Sequence, residues 1–158
     1  MSDFGLADLE RRLANVVRYG TITEVDAANA RAKVTFGGET ASAWLQFSTS
    51  RAGGARVWSP PVTGEQVVVF SPMGDTAQGV IMGSLPNNAF PPPSGDGGTY
   101  QIDLPGGVSI SVAGGAINIS APGNITVNGD VIANGISLET HLHSGVVPGG
   151  SNTGQPVG

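Results

Sequence analysis

From Tyr100 to Leu138 the chain is a series of short apolar bursts separated by glycine. Ile102/Leu104, Val108/Ile110/Val112, Ile117/Ile119, Ile125/Val127, Val131 and Ile136/Leu138 alternate with Ser, Thr, Asn and Asp. Between the bursts stand Pro105-Gly106-Gly107, Gly114-Gly115, Pro122-Gly123, Gly129-Asp130 and Asn134-Gly135. Alternation of period two predicts strands with one apolar face each, and their return about every eight residues is a repeat. Roughly forty residues built this way offer one narrow row of Val and Ile per strand, too little to stabilise a domain alone. The chain has no cysteine, so disulfides are excluded as a remedy. Oligomerisation remains. Three copies wound about one axis would bring each row against two others, pair the strand edges between chains and give a stiff triangular β-prism. A single-chain β-helix competes, but with coils on the order of twenty residues it would complete only two here.

The preceding text has another grammar. Residues 3–17 read as a short amphipathic helix: Leu6, Leu9, Leu13 and Val16/Val17 recur at spacings of three and four, Arg11 and Arg12 lie opposite, and Asp3 is a candidate cap. Such a helix either packs on its own domain or docks on a partner. From Arg18 to Leu85 strands are expected at Tyr19–Val25, around Ala30, Ala32, Val34 and Phe36, and at Ala41–Phe47, Gln66–Phe70 and Gly79–Leu85. Turn signals fall at Gly37-Gly38, Gly53-Gly54, Pro60-Pro61 and Gly74-Asp75. Five short strands in this span favour a small closed barrel such as an OB-fold over a sandwich fragment. Pro86 to Gly98, with its proline triplet and glycine cluster, predicts a linker.

Charge narrows the function. All seven basic residues lie within the first 56 positions, where six carboxylates leave a net +1; beyond Arg56 six carboxylates stand with no Lys or Arg, a net −6. Nucleic-acid binding needs cations to neutralise phosphates, and that class is set aside. No apolar run approaches the ~18 residues of a membrane span, and Met1-Ser2-Asp3-Phe4 lacks the basic start and apolar core of a signal peptide.

The two histidines are His141 and His143, in Glu139-Thr140-His141-Leu142-His143-Ser144. Residues two apart on an extended segment point the same way. Two neighbouring histidines are usually plain surface residues. In a trimer, however, three such pairs bring six imidazoles to one axis. Six nitrogens predict an octahedral first-row metal, iron(II) first and nickel(II) next, instead of tetrahedral zinc. Metal binding needs neutral imidazoles, so the site should weaken below about pH 6. A filled shell leaves no open position for substrate, which makes the ion structural. The following residues 145–158 read either as a disordered tail or as a compact cap over the metal, with Val146, Val147 and Val157 at the apex.

With these residues in view, the sequence resembles the baseplate assembly protein V, or central tail spike, family of contractile phages and R-type bacteriocins. The resemblance rests on Pro60-Pro61-Val62-Thr63-Gly64-Glu65-Gln66-Val67, Ser71-Pro72-Met73-Gly74-Asp75 and Gly79-Val80-Ile81-Met82-Gly83-Ser84-Leu85, then on Thr140-His141-Leu142-His143 with Gly145-Val146 and Thr153-Gly154-Gln155-Pro156. It implies an all-β homotrimer: an OB-fold-like barrel, an intertwined triple-stranded β-helix, and an apex whose iron ion is held by His141 and His143. The expected division is a helical segment at 1–17, the barrel at 18–90, a linker at 91–99, the β-helix at 100–140 and the apex at 141–158. The resemblance further implies docking on tail hub and baseplate proteins below the tube end. It places the chain in a virion or phage-tail-like particle, made in the host cytoplasm without a signal peptide.

Three functions are thereby in play. The first is a rigid spike that pierces the bacterial outer membrane when the tail sheath contracts. The second is a trimeric receptor- or glycan-binding tail fibre or tailspike, which would lean on exposed aromatic rings; after Phe90 only Tyr100 is aromatic. The third is a glycan hydrolase, which needs paired carboxylates in a cleft; Asp96, Asp103, Asp130 and Glu139 are dispersed, read as solvated turn residues, and a narrow prism offers no cleft. A non-enzymatic spike is the expectation.

Overall fold

The structure, a computed structural model, describes residues 3–142, 144, 145 and 149. The chain divides into two compact units, 1–97 and 98–158.

In the first unit, helix α1 (Asp3–Val16) runs directly into strand β1 (Val17–Asp26). The side chain of Asp3, the expected cap, lies outside the described ones. Strands β2 (Arg31–Thr35), β3 (Leu45–Phe47), β4 (Gln66–Phe70) and β5 (Val80–Leu85) complete a closed barrel in the order β1-β2-β3-β5-β4, β4 returning to β1. Only the β3–β5 pair is parallel. The barrel, not the sandwich fragment, is the form taken. Its core is Ile22, Ala32, Val34, Leu45, Phe47, Val67, Val69 and Ile81, with Val25, Ala30 and Phe36 packed against it. Inward residues alternate along β2, as Ala32 and Val34 required. Irregular register between Ile22 and Glu24, and between Val68 and Val69, bends the strands enough to close so small a barrel.

Two expected strands are shorter than their sequence pattern. Ala30 has a left-handed backbone (φ 52°) that ends a 3-10 turn over Ala27–Asn29, itself capped by the Asp26 carboxylate. The expected Ala41–Phe47 strand starts only at Leu45. The Ser42 hydroxyl takes the Val34 N–H at 3.0 Å and donates to the Ala43 carbonyl at 2.7 Å, and such side-chain bonds displace a regular ladder.

The barrel end nearest α1 is built by Ser71-Pro72-Met73-Gly74-Asp75. The buried Ser71 gives its N–H to the Val16 carbonyl at 2.8 Å, and a 3-10 turn over Pro72–Gly74 follows. Gly74 sits at φ +73°, so close beneath the helix that a Cβ there would lie 2.6 Å from Arg12 Cα. Past β5 the chain stays tied to the barrel. Asn87 donates to the Gly64 carbonyl at 3.0 Å and accepts the Phe90 N–H at 2.8 Å.

The second unit is sheet alone among its described residues. Strands β6 (Tyr100–Leu104), β7 (Val108–Ala113) and β8 (Ala116–Ser120) form an antiparallel meander, and β9 (Ile132–Ala133) pairs with β10 (Ile136–Ser137). Gly114 and Gly115, and again Asn134 and Gly135, all have positive φ, as a two-residue turn matched to strand twist demands. The eight-residue rhythm does not carry through: the Ile125/Val127 burst lies outside any strand. Within one copy β7 is bonded on both sides, and the edges of the meander that lack a strand partner are the outer ones of β6 and β8. Turns of two or three residues make the local neighbour the cheapest partner, since loop closure costs least at short range.

Candidate functional site

The meander's register decides what each face carries. Tyr100, Val112 and Ile117 lie in one cross-strand row, Ile102, Ile110 and Ile119 in the next, and Leu104 with Val108 in a third. The intervening rows are Gln101, Ser111 and Asn118, and Asp103, Ser109 and Ser120. One face is therefore apolar throughout, and the other is polar except for the Ala113–Ala116 row at its edge. The apolar face is not covered by its own chain: Ile117 is 71% and Ile119 55% exposed, and Tyr100, Ile102, Leu104 and Val112 are exposed as well. No residue of this unit is fully buried among those described.

Below the meander in sequence, the Asn134-Gly135 turn fixes a second register. Ile136 stands opposite Ala133 and Ser137 opposite Ile132, and the Leu138 N–H reaches the Val131 carbonyl at 2.8 Å. Val131, Ala133, Ile136 and Leu138 consequently share one face. Asp130 and Ser137 share the other. Asp130 is exposed, as its sequence context predicts, and accepts the Glu139 N–H at 3.1 Å; the neighbouring Ser137 hydroxyl, and then this N–H, hold its carboxyl below the usual 3.8. In a single copy an open groove of about 570 Å3 is lined by Ile125, Val127, Asp130, Val131, Leu138 and Glu139, among others.

The chain leaves β10 by a tight turn at whose end His141 stands. Its N–H donates to the Ser137 carbonyl at 3.1 Å, and its Nδ1 lies 2.9 Å from that same oxygen and 3.2 Å from the Leu138 carbonyl. Because carbonyls only accept, Nδ1 carries the hydrogen and the lone pair belongs to Nε2. An imidazole held in this way fits an ion that takes neutral nitrogen. One copy does not supply a shell: among the described residues no three His, Cys, Asp or Glu side chains gather to hold an ion. His143, like most of the expected cap including Val146, Val147 and Val157, lies outside the described residues. Ser137 did not stand out in the sequence, and Asp130 and Thr140 did so only as a turn carboxylate and as part of the histidine motif. The signal for them is the Asn134-Gly135 turn: counting outward from it places Asp130 opposite Glu139 and beside Ser137.

Comparison with known proteins gives this geometry a class. Residues 18–85, the barrel, match the type VI secretion system/phage-baseplate injector OB domain, and residues 135–157 match the GpV apex motif. The chain is also 30% identical over 132 residues to the spike protein of Escherichia phage P2, a match covering 81% of this chain and 62% of that protein. Both matched segments and this relative make the chain similar to phage baseplate spike proteins. The chain spans somewhat under two thirds of the relative it matches.

Proposed function

We propose that this chain is the central spike of a contractile tail baseplate, working as a homotrimer that pierces the bacterial outer membrane on sheath contraction and catalyses no reaction. The observation that carries this reading is the meander's exposed apolar face, with its rows of Tyr100, Ile102, Ile110, Val112, Ile117 and Ile119. A single sheet with one bare apolar side is unstable alone. Three copies closing these faces on one axis bury them together, leaving the polar rows outward. Intrachain pairing then builds each wall, and the outer edges of β6 and β8 join neighbouring copies into a triple-stranded β-helix.

The apex follows from the same symmetry. His141 and His143 of three copies supply six imidazole nitrogens, a donor set suited to iron(II) or another first-row divalent ion. The ion would cross-link three chain ends that would otherwise fray. The barrel unit docks on the tail hub and baseplate proteins, which locates the chain in a virion or tail-like particle. Likeness to phage baseplate spike proteins supports this location.

Native mass spectrometry with metal analysis tests the reading. Three chains and one metal ion per particle are expected. His141→Ala with His143→Ala should remove the ion while leaving three chains together. A folded monomer at working concentration would sink the spike reading. Metal retained by the double variant would remove the ligand assignment alone.

A further inference from the structure

The hydrogen bonds that carry the chain from β10 to His141 converge on Ser137, whose hydroxyl neighbours the Asp130 carboxylate and favours its charged form. The Ser137 oxygen accepts the Thr140 N–H at 2.9 Å and the Thr140 hydroxyl at 2.8 Å. Asp130 is also anchored by the Glu139 N–H at 3.1 Å. With Thr140 held in this way, the backbone curls until both the N–H and Nδ1 of His141 meet the Ser137 carbonyl. One residue, Ser137, therefore uses its side chain to shape the turn and its carbonyl to orient the ring.

We propose that Asp130 and Ser137 are positioning residues for His141, locking its imidazole as the Nδ1–H tautomer so that Nε2 is the metal donor. This rests on the metal reading above and extends it from the ligand to the groups that aim it. The division of faces supports the role. Asp130 and Ser137 point away from the Val131, Ala133, Ile136 and Leu138 face, so changing them leaves the row that meets the other copies intact. Outer groups of this kind typically govern metal affinity by about 10- to 100-fold.

The test uses the full chain with Asp130→Asn, Ser137→Ala and Ser137→Thr, nickel(II) as the probe ion and a chelator as competitor. The imidazole tautomer is read from 15N chemical shifts of the metal-free protein, where only two histidines need assigning. Native mass and circular dichroism check that each variant keeps the wild-type assembly; should Ser137→Ala fail to assemble, Asp130→Asn carries the test. Asp130→Asn and Ser137→Ala should release nickel at least about tenfold more readily, with Nε2–H imidazole appearing at His141. Ser137→Thr, which keeps the hydroxyl, should hold nickel as the wild type does. Unchanged retention in Asp130→Asn and Ser137→Ala would overturn the proposal. So would faster release with the tautomer unaltered, which would mark general loosening. A wild-type chain that takes up no nickel would instead sink the metal reading, and no variant is needed to see it.

Discussion

Gly74 shows how much one missing Cβ can decide. Its φ of +73° and the nearness of Arg12 Cα, 2.6 Å from where a Cβ would stand, leave room for glycine only. Gly74→Ala should therefore cost about 1–3 kcal/mol from backbone strain alone and lift α1 from the turn. A lower melting temperature and earlier proteolysis between α1 and β1 are the expected readouts; a wild-type melt would show the helix end to be seated elsewhere. Gly20 is constrained differently. A Cβ there would meet Val34 Cγ1 and lie 2.7 Å from the Thr35 carbonyl, so the glycine lets β2 pass close over β1. The sequence marks Gly74 as a turn residue. Nothing local in it reveals that a helix sixty residues upstream presses on that spot.

Among the elements, α1 answers the choice that its periodicity left open. It touches the barrel through its C-terminal end, while Leu6, Leu9 and Leu13 stay exposed, Leu13 at 72%. Its polar side is organised by Asp8, whose carboxyl the Arg11 and Arg12 guanidiniums hold below the usual value. The β9–β10 hairpin carries a pH dependence with a definite sign. The Asp130 carboxyl is depressed when folded, chiefly by the Ser137 hydroxyl. Its contribution is therefore fully present above its ordinary 3.8 and disappears as pH falls from there through the lower folded value. In metal-free protein the Glu139 amide should lose its exchange protection in that acid window, and Asp130→Asn should abolish the step. A step lying above 3.8 would assign the transition to another group.

For the whole molecule the apolar meander face sets the decisive expectation. Ile110 lies at the centre of the middle strand, between Ile102 and Ile119. Ile110→Asp should place three carboxylates on the proposed axis and split the particle into monomers, because charge buried without a partner costs several kcal/mol. Sedimentation at micromolar concentration measures this. Asn118→Asp, on the polar face of the same sheet, should leave three chains together. Equal behaviour of the two variants would mean that the apolar face is not what joins the copies.

Much of this was legible in the residues themselves. Alternation placed Ala32 and Val34 inside the barrel and put the Val and Ile bursts on a single face of the meander, because side-chain period fixes face without reference to anything distant. Glycine pairs and Asn134-Gly135 announced the turns, because few residues accept positive φ. Tertiary structure alone decided the rest. Ser42 bonding across to β2 shortened β3, and β7 took an in-chain partner on each side. Asp130 was drawn to the Glu139 amide, and Ser137 to Thr140 and His141. These depend on which groups meet across a gap of many residues, and hydrogen bonding is settled by that meeting, whereas a residue's preference for strand, turn or face is its own.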